Sequence, residues 1–112
     1  MRLDRDKTYL GDILDAIRRI ESYVSGVEKE RFLEHLMMQD AVMRQIEIIG
    51  EASNQISSEF QHKHDQLPWS QMRAMRNKII HDYRGVNVQI IWETTQNDLP
   101  LLKEQISKFL GE

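Results

Sequence analysis

The chain has 112 residues, enough for one hydrophobic core and too few for two. With 40% apolar and 29% charged residues it has the balance of a globular protein; no apolar run approaches bilayer length and the N-terminal MRLDRDKTYLGD has no signal-peptide core, so a cytoplasmic protein with no membrane partner is expected. The absence of cysteine excludes disulfides and thiolate zinc sites, and a net charge of −3 argues against a protein that coats nucleic acid through its overall field.

The predicted elements are all helical. Leu10, Ile13, Leu14, Ile17, Ile20 and Val24 recur at helical spacing, with Asp4 or Asp6 placed to cap the start and Ser25-Gly26 to end the helix. A short helix is expected from Glu28 to about Met38, carrying Phe32, Leu33, Leu36 and Met37. Asp40 is then expected to open a long helix through Val42, Ile46, Ile49, Ser53, Ile56 and Phe60. Gly50 in its middle costs about 1 kcal/mol of helix propensity, which predicts that another backbone comes close there, within the chain or across a dimer.

From Ser57 to Gln66 the apolar period is lost, and the segment reads as a helix end and exposed loop. Pro68 restarts the chain into a helix with Trp69, Met72, Met75, Ile79 and Ile80, ending near Asp82 to Gly85. Asn87 is placed to cap the last helix, whose period (Val88, Ile91, Trp92, Thr95, Leu99, Leu102, Ile106, Phe109) continues across Pro100. That predicts a kinked continuous helix, with Asp98 as the cap of a separate one in the alternative. No segment alternates with period two and none repeats. The expected architecture is one all-α domain over residues 1–112, a bundle of four to five helices.

Charge singles out one stretch. From Arg73 to Arg84, Arg73, Arg76, Lys78 and Arg84 face a single acid, Asp82, a net of +3 that leaves about −6 for the remainder. An acidic body with one basic segment suits a small anionic site. Within it, Arg76 and Tyr83 are seven apart and share a face of an ideal helix, whereas Arg76 and His81, five apart, diverge by about 140°. They converge only if the helix frays near His81 or if another surface, such as a second copy, completes the site. An arginine and a histidine without metal ligands point to phosphate chemistry. Histidine can take a proton from a ribose 2′-hydroxyl or return one to a leaving oxygen, and arginine offers phosphate a fixed fork of donors. Cleavage by 2′-oxygen attack gives a 2′,3′-cyclic phosphate and a 5′-hydroxyl, and works best with both an acid and a base.

Plainer roles stand beside these. Arg-x4-His is common by chance. His81 alone reads as a helix-terminal histidine bonded to backbone carbonyls, Arg76 as the partner of Glu47 or Glu51, and Tyr83 as half-buried packing. Asn77 orients the imidazole, caps, or meets a dimer partner; Arg73 and Lys78 are solvated or contact an RNA backbone. His62 and His64 form a His-x-His pair, which can bind metal, but with no acidic or cysteine cluster at ligand spacing no metal or cofactor is expected. His35 has no evident partner, and Met37, Met38, Met72 and Met75 read as core and interface filler.

Taken together, these segments resemble the HEPN superfamily, and most closely the HepT-like ribonuclease toxins. The resemblance runs over nearly the whole chain: Asp40-Ala41-Val42, Ile48-Ile49-Gly50-Glu51-Ala52, Pro68-Trp69, Met75-Arg76-Asn77, His81-x-Tyr83, and Val88 to Pro100 with Trp92 and Asp98-Leu99-Pro100. The family's Arg-x4-His-x-Tyr motif is intact. It implies a homodimer whose two motifs meet in a cleft and cleave RNA without metal, Arg76 and His81 being catalytic. It also implies a minimal nucleotidyltransferase antitoxin that transfers AMP onto Tyr83. The alternatives are a non-catalytic HEPN module that docks a nucleotide or partner protein through Arg76, and a purely structural helical dimer.

Overall fold

The computed structural model describes residues 2–111, and among these there is no strand. The first helix, α1 (Arg2–Val24), is followed by Gly26 at a φ of +70°, as Ser25-Gly26 leads one to expect. It starts ahead of Asp4 and Asp6, so neither caps it. Asp6 is buried instead, accepting from the Ser57 N–H at 2.8 Å and from Ser57 Oγ at 2.6 Å. A carboxylate taken out of water needs such donors, and here they tie α1 to a segment fifty residues on.

The expected Glu28–Met38 helix is cut short. α2 (Lys29–Glu34) stops at His35, and α3 (Leu36–Gln55) begins well before Asp40. His35 is extended, and its Nδ1 accepts from the Met38 N–H at 3.1 Å, satisfying one of the N-terminal donors that a helix leaves open. Leu36 and Met37, which suggested continuity with Phe32, are not core at all but 70% and 75% exposed. The Ser57–Gln66 stretch is also corrected: α4 (Ser58–Lys63) is a short helix capped by Ser57 Oγ, which accepts from the Phe60 N–H at 3.2 Å. Its one buried side chain, Phe60, stacks on His64 and meets Phe109 edge-on. The long helix expected to run through Ile56 and Phe60 therefore stops at Gln55, and Phe60 belongs to α4, where a single anchor leaves no period of its own.

α5 (Trp69–His81) follows Pro68, and a 3-10 turn covers Tyr83–Gly85. Asn87 caps α6 (Val88–Glu93), its side-chain oxygen accepting from the Gln89 and Ile90 N–H groups. α6 runs through a π-turn at Thr94–Asp98 into α7 (Leu99–Leu110) with helical backbone at both junctions, and the Asp98 side chain makes no cap hydrogen bond. The extra residue of the π-turn sits just before Pro100, which has no N–H to donate. The described residues thus form four long rods (α1, α3, α5, and α6 with α7) and two short helices, against the four to five expected.

α3 lies between α1 and α5. Ile13, Ile17 and Ile20 of α1, Val42, Ile46 and Ile49 of α3, and Met72 and Ile79 of α5 pack with Leu99, Leu102 and Ile106 of α7. Each such side chain contributes about 1.5–3 kcal/mol on burial. No helix among the described residues is long and apolar enough to cross a membrane.

Candidate active site

The site is built where α5 crosses α3. A Cβ on Gly50 would collide with the Arg76 side-chain stem and lie 2.9 Å from the Met72 carbonyl oxygen, so only glycine allows this approach. The close backbone predicted for Gly50 is therefore α5 of the same chain. With its stem pressed onto α3, Arg76 brings its guanidinium to the next residue, Glu51: Nη2 lies 2.7 Å from Oε2. Nη1 donates to Asn77 Oδ1 at 3.1 Å, and Nε is buried without an acceptor among the described residues. Of the two acids the sequence offered Arg76, the partner is Glu51. Asn77 serves the arginine and does not orient His81.

Tyr83 lies beyond the end of α5, because Asp82 leaves the helix at φ −150°. The Asp82 carboxylate accepts from the Gly85 N–H at 3.2 Å and pairs with Lys78 Nζ at 2.9 Å; the Lys78 contact and charge hold its carboxyl below the usual range. The Tyr83 hydroxyl donates to Asp40 Oδ1. Burial of that hydroxyl, its hydrogen bond to Asp40, and the charges of Asp40 and Glu47 push its pKa up to about 12. The residue as a whole is nonetheless 45% exposed.

Asp40 and Glu51 are eleven apart on α3, which returns them to nearly the same face about 16 Å along the axis. One acidic row of α3 thus holds both Tyr83 and Arg76. Asp40 is the functional neighbour that reading the sequence missed, since it looked like a helix opener. The available signal was the spacing of Asp40, Arg44, Glu47 and Glu51, a charged face on a helix flanked by a basic segment.

His81 is the last residue of α5; it is exposed and makes no hydrogen bond among the described residues. The backbone-carbonyl role is not what is found. Because α5 is regular through His81, Arg76 and His81 do diverge by about 140°, and the frayed-end route to convergence is not taken. Arg73 Nη1 donates to Gln61 Oε1 at 2.6 Å, and Lys78 is held by Asp82, so both basic neighbours have contacts within the chain.

Beside Arg76 is a cleft of about 350 Å³ lined by Asp12, Arg44, Glu47, Glu51, Arg76 and Ile80 among others. Three carboxylates face two guanidiniums there, so the cleft interior does not favour a phosphate. Ile80, on its rim, is 45% exposed. On the other side of α5 a second groove of about 470 Å³ runs past Met75, Lys78, Val86 and Ile90 to Asp98, whose carboxyl is pushed up by burial. His62 is exposed while the His64 ring stacks on Phe60, so the His-x-His pair is split between solvent and an aromatic cluster. Among the described residues no three His, Cys, Asp or Glu side chains are grouped as metal ligands would be.

Comparison with known proteins agrees with the family resemblance. The family described as ribonuclease HepT-like matches residues 13–109. The chain is 44% identical to a Thermococcus cleftensis protein named "Probable ribonuclease HepT", over 91% of this chain and 93% of that one. It is 38% identical to a "Putative RNase" of Caldanaerobacter subterraneus, over 93% of each chain. A Methanocaldococcus jannaschii protein named "Gamma-glutamylcyclotransferase and putative RNase" is 41% identical over 95% of this chain, but the match spans only 48% of that longer protein. No solved structure matches the chain.

Proposed function

Because the chain belongs to the ribonuclease HepT-like family, we propose that it is a metal-independent endoribonuclease, active as a homodimer in the cytoplasm. The observation that carries the dimer is the divergence of Arg76 and His81 on a helix that stays regular to its end. One copy offers an exposed, unpartnered imidazole and an anchored guanidinium, but not one site holding both. The surface around them supports the same view: Ile80 on α5 and Met37 on α3 are 45% and 75% exposed, on faces next to the motif.

In the dimer the two motifs line one cleft. The 2′-oxygen of a bound RNA attacks the adjacent phosphorus, and His81 takes the 2′-hydroxyl proton. The bond to the 5′-oxygen breaks, and the partner's His81 protonates that oxygen. Arg76 offsets the negative charge that builds on the phosphoryl oxygens. Acid–base catalysis of this kind is worth about 10²–10⁴-fold. The products are a 2′,3′-cyclic phosphate and a 5′-hydroxyl. Arg84, exposed beyond the helix end, adds positive charge for the RNA backbone.

The chain is the toxin of a toxin–antitoxin pair whose antitoxin is a minimal nucleotidyltransferase. That enzyme joins the Tyr83 oxygen to the α-phosphorus of ATP with loss of pyrophosphate, and Asp40, already accepting the hydroxyl hydrogen, is placed to take the proton. The added AMP brings bulk and negative charge next to the motif. The alternative, a module that docks a nucleotide or protein without cleavage, has one observation in its favour: Arg76 is already engaged by Glu51. His81→Ala separates the two. RNA cleavage in the presence of chelator, lost in the variant and leaving cyclic-phosphate ends, is the expected result; a variant that cuts like the parent removes His81 from the reaction. Intact mass after co-expression with the nucleotidyltransferase tests for AMP on the peptide containing Tyr83.

A further inference from the structure

We infer that Glu51 is a positioning residue for the reaction, fixing the Arg76 guanidinium in the orientation that meets the RNA phosphate. The inference rests on the ribonuclease activity proposed above and adds a residue outside the Arg-x4-His-x-Tyr motif.

An arginine side chain has many rotamers to lose, and a catalytic fork that wanders loses much of its effect. Arg76 is constrained along its whole length. Its stem is seated in the space that Gly50 leaves open, its Nε is buried with no acceptor, and its two terminal nitrogens are bound in different directions, to Asn77 at 3.1 Å and to Glu51 at 2.7 Å. Asn77 is the next residue on the same helix and moves with Arg76. Among the described residues Glu51 is the terminal contact that comes from a different helix, so it is the one that references the guanidinium to the body of the protein. The counting also works for a substrate. A guanidinium has five N–H donors; one is buried on Nε and two are used by Asn77 and Glu51, which leaves one on each terminal nitrogen for two phosphate oxygens.

As a stability device the pair would be weak. The Glu51 side chain is 55% exposed, and ion pairs of that kind contribute little to stability. An effect of Glu51 on turnover larger than its effect on stability is therefore diagnostic. The opposite role is also physically open: a carboxylate 2.7 Å from the guanidinium competes with a phosphate, and its removal would then speed the reaction. The geometry favours positioning, because the exposed carboxylate leaves two donors free.

The experiment uses the full chain and a short RNA that the parent cleaves, with kcat and KM measured for the parent, His81→Ala, Glu51→Ala and Glu51→Gln. Glu51→Ala is expected to lower kcat about 10- to 100-fold, the scale on which misplaced groups lose rate, with KM changed less than about threefold. Glu51→Gln keeps an oxygen acceptor for Nη2 and is expected to recover to within about fivefold of the parent, an outcome a general loss of stability would not produce. In an Arg76→Lys background, where no fork remains to be oriented, Glu51→Ala is expected to cost little more, as for residues acting through one group. Turnover unchanged or raised in both Glu51 variants overturns the inference. So does a Glu51→Gln variant as impaired as Glu51→Ala with an unchanged melting temperature. A parent that cuts no RNA, or cuts no better than His81→Ala, is a different failure: it removes the ribonuclease activity itself, and this inference with it.

Discussion

Arg76 and His81 stand five residues apart on one helix and are treated in opposite ways by the fold. Arg76 is locked: its stem sits over Gly50, its terminal nitrogens are held by Glu51 and Asn77, and a quarter of its side chain (26%) is exposed. His81 is exposed at the helix end and hydrogen-bonds to nothing among the described residues. The difference fits the roles proposed for them. A group that stabilises charge must be in place before the charge appears, and preorganisation is what gives it effect. A group that shuttles protons has to reach the substrate through a free ring nitrogen, and the exposed His81 side chain leaves its nitrogens open.

The contrast can be broken from either end. The largest expected effect is at the unanchored residue: His81→Ala should lower RNA cleavage about 10²–10⁴-fold while leaving the melting temperature unchanged within error, as measured by single-turnover cleavage and thermal unfolding. Gly50→Ala attacks the anchored one. Its new Cβ must push α5 away from α3, and overpacking of this kind costs about 1–3 kcal/mol, only partly offset by about 1 kcal/mol of helix propensity. A fall in melting temperature together with reduced cleavage is expected. A Gly50→Ala protein that is more stable and fully active would mean that the α3–α5 crossing does not hold Arg76.

A third change sharpens the comparison at Tyr83, which is anchored like Arg76 but more exposed. Its folded pKa of about 12 lies above the ordinary value of 10, so the folded state holds the phenolic proton more tightly than the unfolded chain does. That contribution to stability is complete below pH 10 and is lost as pH rises from about 10 to about 12. In an alkaline absorbance titration, a component ionising above the ordinary tyrosine value should be missing from Tyr83→Phe. Asp40→Asn should move it only part of the way back, since burial is the larger cause. The smallest effect lies across α5, away from the site. Burial raises the carboxyl of Asp98, so the folded state disfavours its charge; Asp98→Asn should raise the melting temperature slightly at neutral pH, and the gain should vanish in acid, where the carboxyl is protonated anyway.

Much of the fold is written in local chemistry. The α1 stripe, the Pro68 start of α5, the Asn87 cap and the continuity across Pro100 are legible because each depends on neighbours within one turn or on a regular period. Where the reading failed, the deciding partner was distant in the chain or the anchor was single. Asp6 reads as a cap until Ser57 comes to it from fifty-one positions away, and α4 is invisible because Phe60 is its one buried side chain. Leu36 and Met37 extend an apolar run that burial does not honour.

For the site, the sequence by itself determined the residue types: a basic segment in an acidic chain, an Arg-x4-His-x-Tyr motif, and a glycine that had to be facing another backbone. Helix periodicity already required Arg76 and His81 to point apart. Only the tertiary structure decided which backbone Gly50 faces, that Glu51 rather than Glu47 takes Arg76, and that Asp40 takes Tyr83. The physical reason is that charge and period are properties of one segment, whereas the choice among equivalent carboxylates along α3 depends on where α5 crosses it and at what register.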